Sequence, residues 1–278
     1  VMQLRGATGA PMMKCKKALA ETDGDFEQAQ DLLRKEMGKA AEKKAGRATG
    51  EGLVEVRISD DNKTATGILV LCETEPVVKT PMFREFVAKV ADKAHEAGAS
   101  TEDEVNALAW DDGQSPNVGE ALKALIGLIG ENMKLGKVAR LSVAGEGRVG
   151  AYVHHNQKEG AIVALSGAGD YAEAAKELGM HIVFAKPIAM NRDDIPAEQV
   201  EKEMAFLKEQ VAEDPKMANK PEQAITGILQ GRLNKNFFGQ KVLTEQGWFR
   251  DGGDTLVKKH LEEWGATLDS YALFYIGA

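Results

Sequence analysis

Leu4-Arg5-Gly6-Ala7-Thr8-Gly9-Ala10-Pro11-Met12-Met13-Lys14-Cys15-Lys16-Lys17-Ala18-Leu19 is the stretch that decides how this chain reads. It predicts a short helix, a Thr-Gly turn, and a second helix opened by proline at its first position. Met12, Cys15 and Leu19 recur at three- and four-residue spacing and so share one face of that second helix. Met13 is rotated by about 100° from Met12 and shares its side with Lys16 and Lys17, which places it in water. An unbranched apolar side chain among lysines suits an adaptable protein contact. A single exposed apolar residue is also ordinary on any protein surface, and spacing alone leaves both readings open.

A third helix follows at once. Asp25 is placed to cap it with Gln28 three residues on, and Phe26, Ala29, Leu32, Leu33 and Met37 form its expected buried stripe. Three short helices in about 40 residues make a bundle whose core is marginal alone. The order of residues resembles the N-terminal, ubiquitin-associated-like module of the elongation factor Ts family, whose pattern is LRxxTGAxMMxCKKAL, then Gly-Asp and an LR-containing helix. Leu4, Arg5, Thr8, Gly9, Ala10, Met12, Met13, the run Cys15 to Leu19, Gly24-Asp25 and Leu33-Arg34 all fit it.

With 278 residues the chain can hold this module and two further medium cores. A formal charge of −8 argues against direct nucleic-acid binding, because phosphate neutralisation needs concentrated Lys and Arg. The clusters Lys14-Lys16-Lys17 and Lys43-Lys44 with Arg47 are short and read as solvated helix faces. No run of 18 apolar residues is available to span a membrane. The start shows no basic segment leading into an apolar one, so no secretory signal is expected. Two cysteines in apolar patterns, Cys15 and Cys72, suit buried thiols in a reduced, cytoplasmic protein.

Residues 38–52 turn to Gly, Ala, Lys and Glu without an apolar period, as a connector would. Val54, Val56 and Ile58 then alternate with polar residues, Asp60-Asp61-Asn62 turns, and Gly67 to Cys72 returns as a second strand. A helix carries the stripe Phe83, Phe86, Val87, Val90, Ala91 and Ala94. The order recurs about 95 residues later: Val149, Ala151 and Val153 alternate, 156–160 turns, Ala161 to Leu165 returns, and a helix presents Tyr171, Ala174, Ala175 and Leu178. Leu122, Leu125, Ile126, Ile129 and Met133 mark a helix between the two units, leading to a strand near Val138 to Val143. Residues 197–236 read as an antiparallel helical hairpin joined at Asp214-Pro215. A helix from Asp254 to Trp264 and a strand from Tyr271 to Ile276 complete the second unit.

The expected class is therefore α+β. A three-helix module spans residues 1–40 and a linker 41–52. A first lobe covers 53–143, and a second covers 144–278 with the hairpin projecting from it. Each lobe carries a small antiparallel sheet and helices. The later segments are also similar to the elongation factor Ts family: Ile129-Gly130-Glu131-Asn132 matches its IGEN helix, and Tyr152-x-His154 a tyrosine–histidine pair. Met180-His181 with Ala185-Lys186-Pro187, Lys220-Pro221, Gly231-Arg232 and a closing strand at Leu243-x-x-Gln246 complete the match.

Gly167-Ala168-Gly169-Asp170-Tyr171-Ala172 fits G-x-G-x-x-A, with Asp193-Asp194 about 20 residues beyond, as in a nicotinamide-dinucleotide site. The strand before it belongs to a tight hairpin, however, whereas that fingerprint belongs in a parallel crossover, so a packing turn is preferred. No G-x-x-x-x-G-K-[ST] loop is present to hold a nucleotide phosphate. His154 and His155 are neighbours on an expected strand and point apart, which makes them poor ligands for one metal. No catalytic constellation stands out, and no cofactor is expected.

The segment Thr74-Glu75-Pro76-Val77 lies between an apolar strand and a helix, on a loop held by rigid elements. The family carries Thr-Asp-Phe-Val here, inserted beside the magnesium and phosphate site of its partner GTPase, elongation factor Tu, with the ring as a wedge. Thr74 and Val77 match, Glu75 keeps the charge, and Pro76 replaces the phenyl ring with a smaller, fixed one. The resemblance implies a guanine nucleotide exchange factor rather than an enzyme. It places Arg5, Met12 and Met13 on the GTPase domain, Thr74 to Val77 at the phosphate region, and His154 on another domain. It leaves room for a homodimer or a 2:2 complex. Pro76 motivates a second reading, a partner or chaperone-like protein that binds the GTPase without exchange.

Overall fold

The computed structural model describes residues 1–217 and 220–277. The first three helices are α1 (Met2–Thr8), α2 (Met12–Glu21) and α3 (Phe26–Glu42). Asp25 caps α3 by accepting the Gln28 N–H, while the Gln28 amide returns to the Asp25 carboxylate instead of to its backbone. Leu4, Ala10, Cys15, Ala18, Ala29, Leu33 and Met37 form the bundle's small core. Phe26, expected in that stripe, is 37% exposed; it is the first helical residue and stands outside the bundle's core. Ala124 and Leu128 from a later helix complete this core, so the module does not stand alone.

The first lobe comprises β1 (Glu51–Ile58), β2 (Thr64–Cys72), α4 (Glu75–Val78), α5 (Pro81–Ala97), α6 (Glu102–Ala107), α7 (Val118–Ile129) and β3 (Met133–Ser142). Asn62 takes the positive φ of 54° at the β1–β2 turn. The antiparallel order is β1-β2-β3. Every residue of the expected α5 stripe is buried against this sheet. Met133 departs from its expected place on a helix. Gly130 at φ 90° ends α7, and Met133 opens β3.

The second lobe repeats the plan with β4 (Gly147–Val153), β5 (Glu159–Ser166), α8 (Ala172–Ala185), the hairpin helices α9 (Ala197–Glu213) and α10 (Glu222–Arg232), α11 (Gly239–Lys241), α12 (Val257–Trp264) and β6 (Thr267–Tyr275). Its order is β4-β5-β6, again antiparallel. Leu207 and Val211 of α9 meet Leu229 of α10, Leu233 and Phe237 along the hairpin. Residues 218 and 219, inside the expected hairpin, lie outside the described residues. The expected closing strand at Leu243-x-x-Gln246 is instead a 3-10 turn over Leu243–Glu245. It leaves the buried Gln246 amide free to bond Gln240 O at 2.7 Å and Ala185 O at 3.3 Å.

The two sheets lie face to face. Val54, Ala65 and Leu69 of one meet Val149, Ile162, Ala164 and Phe274 of the other, with helices packed on both outer faces. Each sheet thus has a core on both sides. Leu53 and Val54 are consequently both buried, where the sequence predicts alternation. Gly67 sits under the Phe274 ring, and a Cβ there would come within 2.5 Å of it. Lys137 crosses the seam to donate to Leu273 O at 2.7 Å, and burial pushes its ammonium below the usual lysine range.

Candidate partner-binding surface

The tip of the helical module is built around the Thr8-Gly9 turn. Gly9 at φ 66° ends α1, giving its N–H to Arg5 O, while the Thr8 hydroxyl donates to Leu4 O at 2.7 Å. Leu4, Ala10 and Cys15 point inward, and the turn rests on Leu128 of α7. Arg5, Met12 and Met13 stay outside, Met13 at 72% exposure and Met12 at 46%. The exposure of Met12 corrects the expected stripe. Pro11 is the N-cap, with ψ 141°, so Met12 begins the helix beyond the edge of the bundle, and Cys15 and Ala18 carry the packing. Met2 adds further exposed apolar surface to the module at 68%.

The second element follows β2. The strand-to-helix loop is a single helical turn, α4, with Pro76 at its second position, where no backbone N–H is needed. Thr74 donates its N–H to Glu131 Oε2 at 3.0 Å and its hydroxyl to Glu131 Oε1 at 2.6 Å. Glu73 accepts the Asn132 N–H at 2.5 Å and pairs with Arg47 at 3.4 Å, while the Asn132 amide donates to Ala45 O and Arg47 O. The Gly130-Glu131-Asn132 turn therefore fixes the 73–76 backbone from below. Lys79, 2.9 Å from Glu75, holds the Glu75 carboxyl below the usual range.

Thr74, Glu75 and Pro76 are exposed, but Val77 is 7% exposed and packs into the first lobe with Val78. Val77 thus anchors the turn, and of the four residues that the resemblance places at the phosphate region only Thr74, Glu75 and Pro76 are displayed. Burial and the neighbouring Glu131 push the Cys72 thiol up to about 12, and it donates to Thr74 O, the surroundings of a structural thiol.

His154 lies just past β4, with its ring Nδ1 2.8 Å from the Tyr152 hydroxyl. The rings of His154 and His155 are 4.2 Å apart instead of on opposite faces. Both belong to the turn, where strand alternation no longer applies. Among the described residues no group of three or more His, Cys, Asp or Glu could hold a metal ion. The His154 turn docks on the first lobe: Gln157 O accepts the Val54 N–H at 2.8 Å, and the Arg84 guanidinium donates to Gln157 Oε1 at 3.0 Å. Lys158 pairs at 2.7 Å with Glu51, the strand partner of Cys72. The Thr74 turn and the His154 turn are therefore joined across one pair of strands. Sequence reading assigns no contact to Glu131 or Lys158; Glu131 falls within the IGEN match, and Lys158 only within the expected 156–160 turn.

The Gly167 to Ala172 segment is a packing turn. Tyr171 fills the space beside its glycines, where a Cβ on Gly167 would lie 2.5 Å from the hydroxyl, and donates that hydroxyl to Gly265 O at 2.8 Å. The preceding strand β5 is flanked by antiparallel neighbours.

The family model described as "Elongation factor TS" matches residues 73–278. The chain is 39% identical over 280 residues to the Elongation factor Ts of Teredinibacter turnerae, covering 100% of this chain and 89% of that protein. The Elongation factor Ts of Hyphomonas neptunium is 38% identical, covering 100% and 90%, and that of Halothermothrix orenii 34%, covering 100% and 91%. The chain belongs to the elongation factor Ts family. As a member of the elongation factor Ts family it is a translation elongation factor of protein biosynthesis. The relatives align over the helical module as well as both sheets, so Arg5, Met12 and Met13 fall within the shared region. Among the described residues no helix is long and apolar enough to cross a membrane.

Proposed function

We propose that this protein is a guanine nucleotide exchange factor that promotes GDP release from elongation factor Tu. Membership of the elongation factor Ts family supports the partner and the general role. The observation that carries the finer reading is the Thr74-Glu75-Pro76 turn, exposed at its crest yet fixed at its base by Glu131 and by buried Val77. A rigid projection can press on a neighbour's phosphate-binding loop without losing the force to its own motion. Exchange needs no bond chemistry here. The factor binds the nucleotide-free GTPase more tightly than its GDP complex, and linkage then requires that it weaken GDP by the same factor.

In this reading Arg5, Met12 and Met13 grip the GTPase domain. Thr74 to Pro76 disturb the magnesium and phosphate region, Val77 holds that turn, and His154 with the second lobe engages a further surface. Stopped-flow release of a fluorescent GDP analogue from elongation factor Tu, with and without this protein, is the test. Acceleration supports exchange, and complex formation with no acceleration supports a non-exchanging partner, the reading that Pro76 favours. Neither binding nor acceleration would overturn both.

A further inference from the structure

Lys14 and the basic residues around the end of α3, apart in the sequence, meet in one shallow groove. Lys14 of α2 faces Lys39 and Lys43 at the end of α3, with Lys44 and Arg47 beyond them, around a depression of about 410 Å³. Glu36 is the only carboxylate among its lining residues, in a protein whose overall charge is −8. Elsewhere Lys79, Lys93, Lys123 and Lys186 each pair with a nearby carboxylate. Among the described residues Lys14, Lys39, Lys43 and Lys44 form no ion pair, and Lys44 turns its ammonium to Ala40 O. Lys39 and Lys43 are also four apart on successive turns, an arrangement that repels. The result is a concentrated positive surface turned to solvent, with no carboxylate among the described residues pairing with these four lysines.

The groove adjoins both candidate contacts. Lys14 follows Met13 directly, and Arg47 pairs with Glu73, the residue before Thr74. We propose that this groove is an electrostatic steering surface that receives a carboxylate-rich patch of the GTPase and aligns it before the methionines and the Thr74 turn engage. The inference rests on the exchange reading above and adds the chemistry of the partner's surface. Steering by clustered charge acts on the encounter, raising association by one or more orders of magnitude at low ionic strength and fading as salt screens it. An acidic protein surface is favoured over RNA because the surrounding negative field of this protein repels a polyanion that extends beyond the groove.

The test is the triple variant Lys39→Gln, Lys43→Gln, Lys44→Gln, which leaves Lys14 and Arg47 beside the candidate contacts untouched. Association and dissociation with elongation factor Tu are followed by stopped flow over about 30 to 500 mM salt. The expected result is an association rate lowered about tenfold at low salt, with a flattened salt dependence, while dissociation changes much less. The melting temperature should move little, since relief of like-charge repulsion is offset by the loss of positive charge at the C-terminal end of α3. Equal association rates and equal salt slopes would overturn the proposal, as would loss of poly(A) RNA retention in the variant with association to the GTPase unaltered. The wild type in the same cell reports on exchange itself. If it exchanges and the variant matches it, steering alone fails, whereas if it neither binds nor exchanges, the function fails and takes this inference with it.

Discussion

Placing a methyl group on Gly127 tests how the helical module is seated. A Cβ at that position would lie 2.6 Å from Met37 Cβ and 2.8 Å from Met37 Cα, and a backbone atom cannot swing aside. Helix α3 must therefore retreat from α7 by about 1 Å, a gap that forfeits a quarter to a half of each affected contact. Those contacts join Leu33 and Met37 to Ala124 and Leu128. Overpacking of this kind costs about 1–3 kcal/mol, against about 1 kcal/mol gained by alanine over glycine in a helix. Gly127→Ala should thus lose up to about 2 kcal/mol, or at most roughly 4–8 °C in melting temperature, and should show none of the gain that alanine brings at an open helical site.

Gly38 supplies the control. It also lies within α3, but a Cβ there meets nothing within 4 Å, so Gly38→Ala should gain about 0.5–1 kcal/mol. If binding has to reseat the displaced module, Gly127→Ala should also weaken the complex with elongation factor Tu, by up to about 30-fold. Calorimetric melting and titration of the complex measure both effects. Stabilisation by both substitutions alike would refute the seating of α3 on α7.

Met13→Asp should slow GDP release by about tenfold, as expected for loss of an apolar anchor, and shift stability by less than about 0.5 kcal/mol because the side chain is exposed. Unchanged exchange kinetics would remove Met13 from the contact. Pro76→Phe should accelerate GDP release, read with the fluorescent analogue, since the exposed second position of α4 accepts any side chain; slower release would mean the partner is shaped to proline. His181 is buried and kept below the usual imidazole range by desolvation, with Nε2–H donating to Gln246 at 3.0 Å and Nδ1 unpartnered. The unfolded imidazole takes up a proton that the folded one refuses, so its contribution is complete above about pH 6.5 and is lost as pH falls toward its depressed value. His181→Gln should flatten that part of the urea-derived stability profile, and parallel profiles would contradict the assignment.

Much of the fold was legible because local patterns coincide with the buried faces. The Phe83 to Ala94 stripe, both strand–turn–strand units and the hairpin helices follow apolar periodicity that tertiary packing does not override. The failures share a cause, which is that an element's end obeys its cap more than its period. Phe26 and Met12 sit at helix starts, and Gly130 ends α7 before Met133. At the candidate site, the exposure of Met13 was legible from its lysine neighbours. The inward turn of Val77 and the grip of Glu131 on Thr74 were not, because they depend on two segments 57 residues apart in sequence. The basic groove was hidden for the same reason, its charges being split between α2 and the end of α3.

The central strand of the second sheet has an awkward birth. β5 finds β4 across a short turn, but its other edge waits for β6, with Ser166 opposite Thr267 and roughly a hundred residues of chain between them. Until that partner emerges, Ile162 and Ala164 have no completed layer to lie in, and the row of backbone groups beside them is open to any passing extended segment. Chains that end inside the helical hairpin should therefore be clients for folding helpers, while released chains that include β6 should not.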